Sequence, residues 1–71
     1  MSNDEFILKY GIKEFRDMCK YISQDLLIAK NLKLIKSYQI YNNSKKVKLT
    51  YNNKTSNCVD FAEIFMWKIG G

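Results

Sequence analysis

The sequence predicts an α+β domain with a long N-terminal helix, an antiparallel β-hairpin, and a C-terminal helix that packs with the first on one face of the hairpin. Three observations predict this class. Apolar residues recur at steps of four and three between Asp4 and Asn31, apolar and polar residues alternate on both sides of an Asn-Asn-Ser-Lys turn, and a mostly apolar segment follows a second, turn-rich link. Such patterns are typical of an amphipathic helix, a hairpin and a buried helix.

The N-terminal helix is predicted over residues 4–31. Ser2 and Glu5 have the spacing of a capping box at its start. Gly11 disfavours a helix interior by about 1 kcal/mol relative to alanine, and Ser23 has the side chain to cap a fresh helix. The alternatives to one continuous helix are therefore a kink or a split into two nearly collinear pieces. The stripe expected to be buried consists of Leu8, Ile12, Phe15, Cys19, Ile22, Leu26 and Ala29.

The hairpin is predicted over residues 32–51, with Asn43 and Ser44 as the two central residues of a tight turn. This turn fixes the register, because each residue then has one partner on the other strand. Two of the resulting pairs form an apolar face that belongs against the helix, and three form a polar, basic face. The apolar pairs are Ile40 with Val47 and Tyr38 with Leu49, and the polar pairs are Tyr41 with Lys46, Gln39 with Lys48 and Ser37 with Thr50.

Positive charge is concentrated on and beside the hairpin. Residues 1–31 are neutral overall, residues 32–54 carry lysines and no acid, and the whole chain has a net charge of +5. Lysines interleaved with tyrosines suit a phosphate backbone or stacked bases. The alternatives are a surface for an acidic protein and a solvated face that protects a sheet edge from aggregation. The residues predicted to contact nucleic acid are Lys36, Tyr41, Lys45, Lys46, Lys48 and Lys54.

The segment 57–69 is predicted to be the C-terminal helix, capped by Asn57 and stopped by the two terminal glycines, of which the last is frayed. A third strand is the alternative, because apolar residues in this segment also share one face at period two. On a helical wheel, Ile64 and Trp67 fall on the polar side of the helix, away from its central apolar stripe. These two residues are therefore the predicted contact with a protein partner or with a second copy.

Several function classes are disfavoured by composition. The chain has no histidine, no nucleophile motif and no glycine-rich phosphate loop, so we do not expect an enzyme. Cys19 and Cys58 are expected to be small buried hydrophobes in a reducing cytosol, and no metal or other cofactor is expected. The acidic start lacks the features of a secretory signal, and no apolar run approaches the ~20 residues of a membrane span. We therefore expect a cytoplasmic protein without membrane contact.

The expected function is non-catalytic binding by occupancy, in which the basic hairpin face contacts nucleic acid or a nucleic-acid-handling complex. The alternative is a small inhibitor or adaptor, of the type that phages and mobile elements encode, that docks on a target protein. A homodimer is a further alternative, because 46% of the residues are hydrophobic and a chain this short buries only about 60% of its unfolded surface.

Overall fold

The structure is a computed structural model that describes residues 1–70, and it confirms the α+β class. Gly71, where the frayed end was predicted, lies outside the described residues. Along the chain, helical residues precede and follow a small antiparallel sheet, as the sequence predicts. In chain order the elements are α1 (Asn3–Tyr10), α2 (Ile12–Asn31), β1 (Ser37–Tyr41), β2 (Lys46–Tyr51), β3 (Lys54–Thr55), β4 (Val59–Asp60) and α3 (Phe61–Ile69).

The predicted N-terminal helix is split in two at Gly11. This residue has φ 94° and ψ 164°, a backbone conformation essentially restricted to glycine. Its N–H group donates to the carbonyl of Ile7 at 2.8 Å and so closes α1. The expectation that Leu8 and Ile12 belong to a buried stripe is wrong. The non-helical Gly11 shifts the phase of α1 against α2 and so turns Leu8 outward, and Ile12, the first residue of α2, lies at its exposed end. Their side chains are 88% and 51% exposed, and Phe6 is buried in their place.

From Phe15 onward, α2 keeps the predicted stripe, and the helix runs through Ser23 without a break. The stripe residues Phe15, Cys19, Ile22 and Leu26 are buried. They pack against the inner face of the sheet and against α3 in one hydrophobic core, whose most enclosed large side chains are Phe61, Ile22 and Val47. The buried stripe of α2 is therefore an intramolecular packing face.

α2 ends in a Schellman motif built around a lysine. The N–H of Lys33 donates to the carbonyl of Lys30 at 3.0 Å, and the N–H of Leu34 donates to the carbonyl of Ala29 at 2.9 Å. This pair of bonds requires a left-handed backbone at the residue after the helix cap, where glycine is the usual choice. Lys33 adopts it with φ 61°. The chain therefore holds a charged side chain at a strained backbone position.

β1 and β2 form the predicted hairpin in the predicted register, with all five expected pairs present. The turn itself differs from the prediction. Residues 42–45 form the loop, in which the N–H of Ser44 donates to the carbonyl of Tyr41 at 3.2 Å and Lys45 has φ 53°. A two-residue hairpin turn needs positive φ at its first central residue, Asn43, and this loop places positive φ at Lys45 instead. The tight turn was therefore wrong, whereas the pairing it implied is confirmed.

β2 is the central strand, because β3 and β4 pair with the edge that β1 leaves open. The register advances by one residue between these two short strands, so that Asn57 and Cys58 lie opposite Lys48 in a β-bulge. The expectation that the last segment is helical from Asn57 onward is wrong at its start, where Val59 and Asp60 are a strand. Cys58 was expected to be buried, and it is exposed because it lies in the bulge.

Asn3 connects three parts of the fold that are distant in the sequence. Its side-chain Nδ2 donates to the carbonyls of Ser44 and Lys45 in the hairpin loop, at 3.1 and 2.9 Å. Its Oδ1 accepts the N–H of Ala62 in the first turn of α3, at 3.0 Å. Because two carbonyls face Nδ2 and one N–H faces Oδ1, only one orientation of the amide satisfies all three groups. The residue is 8% exposed.

Asn3 and Asp60 cap each other's helices. The N–H of Asn3, at the start of α1, donates to Oδ2 of Asp60 at 2.9 Å. In return the side chain of Asn3 accepts from Ala62, so α3 is capped by a residue from another helix rather than by Asp60. A carboxylate at a helix N-terminus is also favoured by the helix dipole. The two N-termini and the hairpin loop are thereby fixed relative to one another.

Asn3→Ala is expected to lower the free energy of unfolding by about 2–4 kcal/mol, because it leaves the buried N–H of Ala62 without a partner and removes the bonds to the carbonyls of Ser44 and Lys45. Urea unfolding followed by far-UV circular dichroism measures this loss. Asn3→Asp keeps the side-chain size but places an oxygen against two carbonyls, so it should be at least as destabilising. The matched control is Asn31→Ala at an exposed position, where the change should stay within about 0.5 kcal/mol. Equal losses at both positions would contradict this role of Asn3.

Gly11→Ala tests the split between α1 and α2, because the two arrangements predict opposite changes in the free energy of unfolding. A methyl group at this position meets no atom within 4 Å, so crowding plays no part. The split predicts destabilisation by about 1–3 kcal/mol, because alanine disfavours this backbone conformation. One continuous helix predicts the opposite, a gain of about 1 kcal/mol. The same urea titration decides between them.

Candidate functional site

The residues predicted to contact nucleic acid do not form one patch. Tyr41, Lys46 and Lys48 lie on the outer face of the sheet, which is the face turned away from the core. Lys54 pairs with Tyr51 of β2. Side chains alternate between the two faces along a strand, so Tyr51 and Lys54 lie on the face opposite to that of Lys46 and Lys48. Lys36 precedes β1 and lies near the end of α2. The hairpin therefore distributes its charge over several surfaces.

On the outer face, all three of the predicted residues are already in contact with neighbours. Lys46 pairs with Asp60 across β2 and β4, and its Nζ lies 3.7 Å from Oδ1 of that carboxylate. The Nζ of Lys48 lies 6.0 Å from the centre of the Tyr41 ring, within the range of a cation–π interaction. Part of the positive charge of this face is thus neutralised by Asp60.

Lys45 lies in a different and more basic environment. It lines a groove of about 560 Å³ between the hairpin loop and α2, together with Lys13, Arg16 and Lys20. We call this the basic groove. Asp17 is the one acidic residue in its lining. Within residues 1–70 none of the four cations is in an ion pair, so their charge is available to a ligand.

The basic groove has an apolar floor and a polar rim. Phe15, Cys19 and Phe61 line its floor, and all three are buried. Burial raises the pKa of the Cys19 thiol, and the nearby charge of Lys45 opposes this rise in part. The thiol is therefore protonated at neutral pH. The neutral polar residues of the lining are Ser23, Gln24 and Asn42.

Three cations of the basic groove escaped the sequence analysis because residues 1–31 are neutral overall. Lys13, Arg16 and Lys20 are spaced by three and four residues, so they share one side of α2. That spacing is the signal in the sequence that reveals them. Their proximity to Lys45 depends on how the hairpin loop packs on α2, and no local pattern encodes it.

The orientation of α3 buries one of the two residues predicted to contact a protein partner and exposes the other. Ile64 is 5% exposed and belongs to the core, so its placement on the outward side was wrong. Strand β4 and the cap from Asn3 set the rotation of α3 and turn Ile64 inward. Trp67 is 56% exposed, and its role as a partner contact stays a prediction. The adjacent Lys68 holds the end of α3 on α2 through a 2.6 Å ion pair with Asp25.

Comparison of the chain with protein-family models, with curated proteins and with solved structures found no match. Across residues 1–70, no three side chains of the types that ligate metals come together. Within the same stretch, no helix combines the length and the apolar character needed to cross a membrane.

The two cysteines should differ in reactivity. Cys58 is exposed, whereas Cys19 is buried in the floor of the basic groove and has a raised pKa. Because the thiolate is the reactive form, dithiobis(nitrobenzoate) should modify Cys58 at once and Cys19 only after unfolding in urea. The Cys58→Ser variant should lack the fast phase. Immediate reaction of both thiols would show that the floor of the groove is open.

Proposed function

We propose that the protein binds the phosphate backbone of nucleic acid in the basic groove and acts by occupancy, without catalysing a reaction. The observation that carries this proposal is the convergence of Lys13, Arg16, Lys20 and Lys45 on one groove with a single acid. Each phosphate neutralised by such a cation releases condensed counterions, which is the main source of affinity in sequence-independent binding.

Cations come from two walls of the groove, which suits an extended polyanion. Lys45 reaches it from the hairpin loop, and the other three reach it from α2. Arg16, the one arginine in the sequence, offers a planar fork for bidentate contact with a phosphate. The neutral rim of Ser23, Gln24 and Asn42 adds partners for sugar and phosphate oxygens. None of these features reads base sequence.

β1 and β2, whose outer face carries Tyr41, lead into the hairpin loop that lines the basic groove. Asn42 and Lys45 belong to the groove, and the adjoining Tyr41 and Lys46 pair on the outer face. Tyr41, with Lys48 beside its ring, offers an aromatic surface on which an unpaired base can stack. A flexible single strand bound in the basic groove can pass around the loop to this ring, whereas the bases of a duplex are already stacked, so single strands are favoured over duplexes.

Fluorescence anisotropy of labelled single- and double-stranded oligonucleotides, measured across a range of salt concentrations, tests the proposal. Four phosphate contacts predict a log–log slope of about −3 to −4 with duplex DNA. Arg16→Glu combined with Lys20→Glu should weaken binding and reduce the magnitude of this slope by about 2. Tyr41→Ala should weaken binding to single strands selectively, by about 1–3 kcal/mol.

The matched control is Lys33→Glu combined with Lys54→Glu, which changes the net charge equally at exposed positions outside the basic groove. This pair should leave the salt slope nearly unchanged. Flat anisotropy at low salt would reject nucleic-acid binding. Equal weakening by both double variants would show attraction to the net charge rather than to the groove.

A further inference from the structure

A second groove lies toward the other end of α2, where the ends of α2, α3 and β2 meet. It encloses about 250 Å³, and we call it the apolar groove. Its rim carries Leu34, Tyr51 and Trp67, which are 69%, 43% and 56% exposed. Its floor is formed by buried side chains of the core, namely Leu26, Ile35, Leu49 and Ile64. Half-exposed apolar side chains around an apolar hollow are typical of an interaction site.

Lysines lie directly beside the apolar groove. A neighbouring hollow of about 460 Å³ is lined by Lys30, Lys33 and Lys36. Within residues 1–70 these lysines form no ion pair, and Asp25, the one acid of the apolar groove, is occupied by Lys68. One side of the combined surface is thus apolar and the other carries three unneutralised positive charges. The two hollows share Leu34, Ile35 and Tyr51.

Lys33 is a charged side chain at one of the two positions of this surface where φ is positive, the other being Asn52. The φ of 61° at Lys33 completes the Schellman motif at the end of α2, and glycine would adopt that conformation without strain. The strain therefore accompanies a side chain that projects a charge beside the apolar groove. Strained residues of this kind often belong to binding sites.

We propose that this combined surface docks an acidic segment of another protein. An apolar side chain of the segment enters the apolar groove against Trp67, and its carboxylates face Lys30, Lys33 and Lys36. A partly exposed tryptophan beside a hollow is a typical anchor of a protein interface, and opposite charges align the partner. The proposal is independent of the basic groove, because the two surfaces share no lining residue.

Other occupants fit this surface less well. A nucleic acid finds phosphate partners in the lysines, but it has no aliphatic side chain to fill the apolar floor, and burying a phosphate or sugar there is costly. A second copy of the chain brings a like net charge of +5, which opposes self-association. A segment with both carboxylates and apolar side chains satisfies both halves of the surface.

Trp67 is the only tryptophan in the sequence, so tryptophan fluorescence, excited selectively over the tyrosines, reports on this groove. The probe is a synthetic peptide in which leucines one helical turn apart are flanked by glutamates. Its binding should shift the emission of Trp67 to shorter wavelength in a saturable manner, because the ring loses contact with water. Added salt should weaken this binding. A peptide with lysines in place of the glutamates should cause no shift.

Variants separate the charged half of the surface from the fold. Lys33→Gly removes one charge and relieves backbone strain, so peptide binding should weaken about two- to fivefold while the urea midpoint holds or rises. Lys30→Gln with Lys36→Gln should weaken binding further, whereas Lys13→Gln with Lys20→Gln, which removes the same charge at the basic groove, should not.

Trp67→Ala tests the anchor, and its binding is followed by anisotropy of a fluorescein-labelled copy of the peptide. The expected weakening is about thirtyfold or more, the size of an interface hot spot. Four results would overturn the proposal. These are no emission shift with the acidic peptide, an equal shift with the basic peptide, a shift caused by raising the protein concentration alone, or a shift caused by an oligonucleotide and weakened by Lys30→Gln with Lys36→Gln.

Discussion

The arrangement of this small fold depends on the hydrogen bonds of one buried asparagine. Two helix N-termini and a hairpin loop meet at Asn3, and each brings backbone groups that need partners when they leave water. Asn3 and Asp60 satisfy them by capping each other's helices. Within the described residues no buried side-chain polar atom lacks a partner. Hydrophobic contacts are not directional, whereas these bonds fix where α1 and α3 begin relative to the sheet.

The same network determines which charges are left for binding. Asp60 accepts from the N–H of Asn3 and also pairs with Lys46, so that lysine serves the fold. The backbone and the side chain of Lys45 have different roles. Its carbonyl accepts from Asn3 and from the N–H of Phe61, while its side chain lines the basic groove. The contact that anchors the loop thus also brings its cation to α2.

α2 is the element that both proposed surfaces share. Its first half supplies three cations to the basic groove, and its last turns, with the strained Lys33 after them, border the apolar groove. Between these regions the buried stripe of α2 packs on the sheet and on α3. A nucleic acid in one groove and an acidic protein segment in the other would be held apart by a rigid helix, which describes a small bridge or adaptor.

The sequence by itself determined the α+β class, the buried stripe of α2 from Phe15 onward and the pairing of Ile40 with Val47. These features follow from local periodicity, because side-chain direction repeats every 3.6 residues in a helix and every two in a strand. Only the tertiary structure decided that Ile64 faces inward, that Lys46 meets Asp60 and that Lys45 joins the cations of α2. The physical reason is that each of these outcomes depends on contacts between segments distant in the chain. Asn3, 57 residues from Asp60, fixes their geometry through bonds that no local pattern encodes.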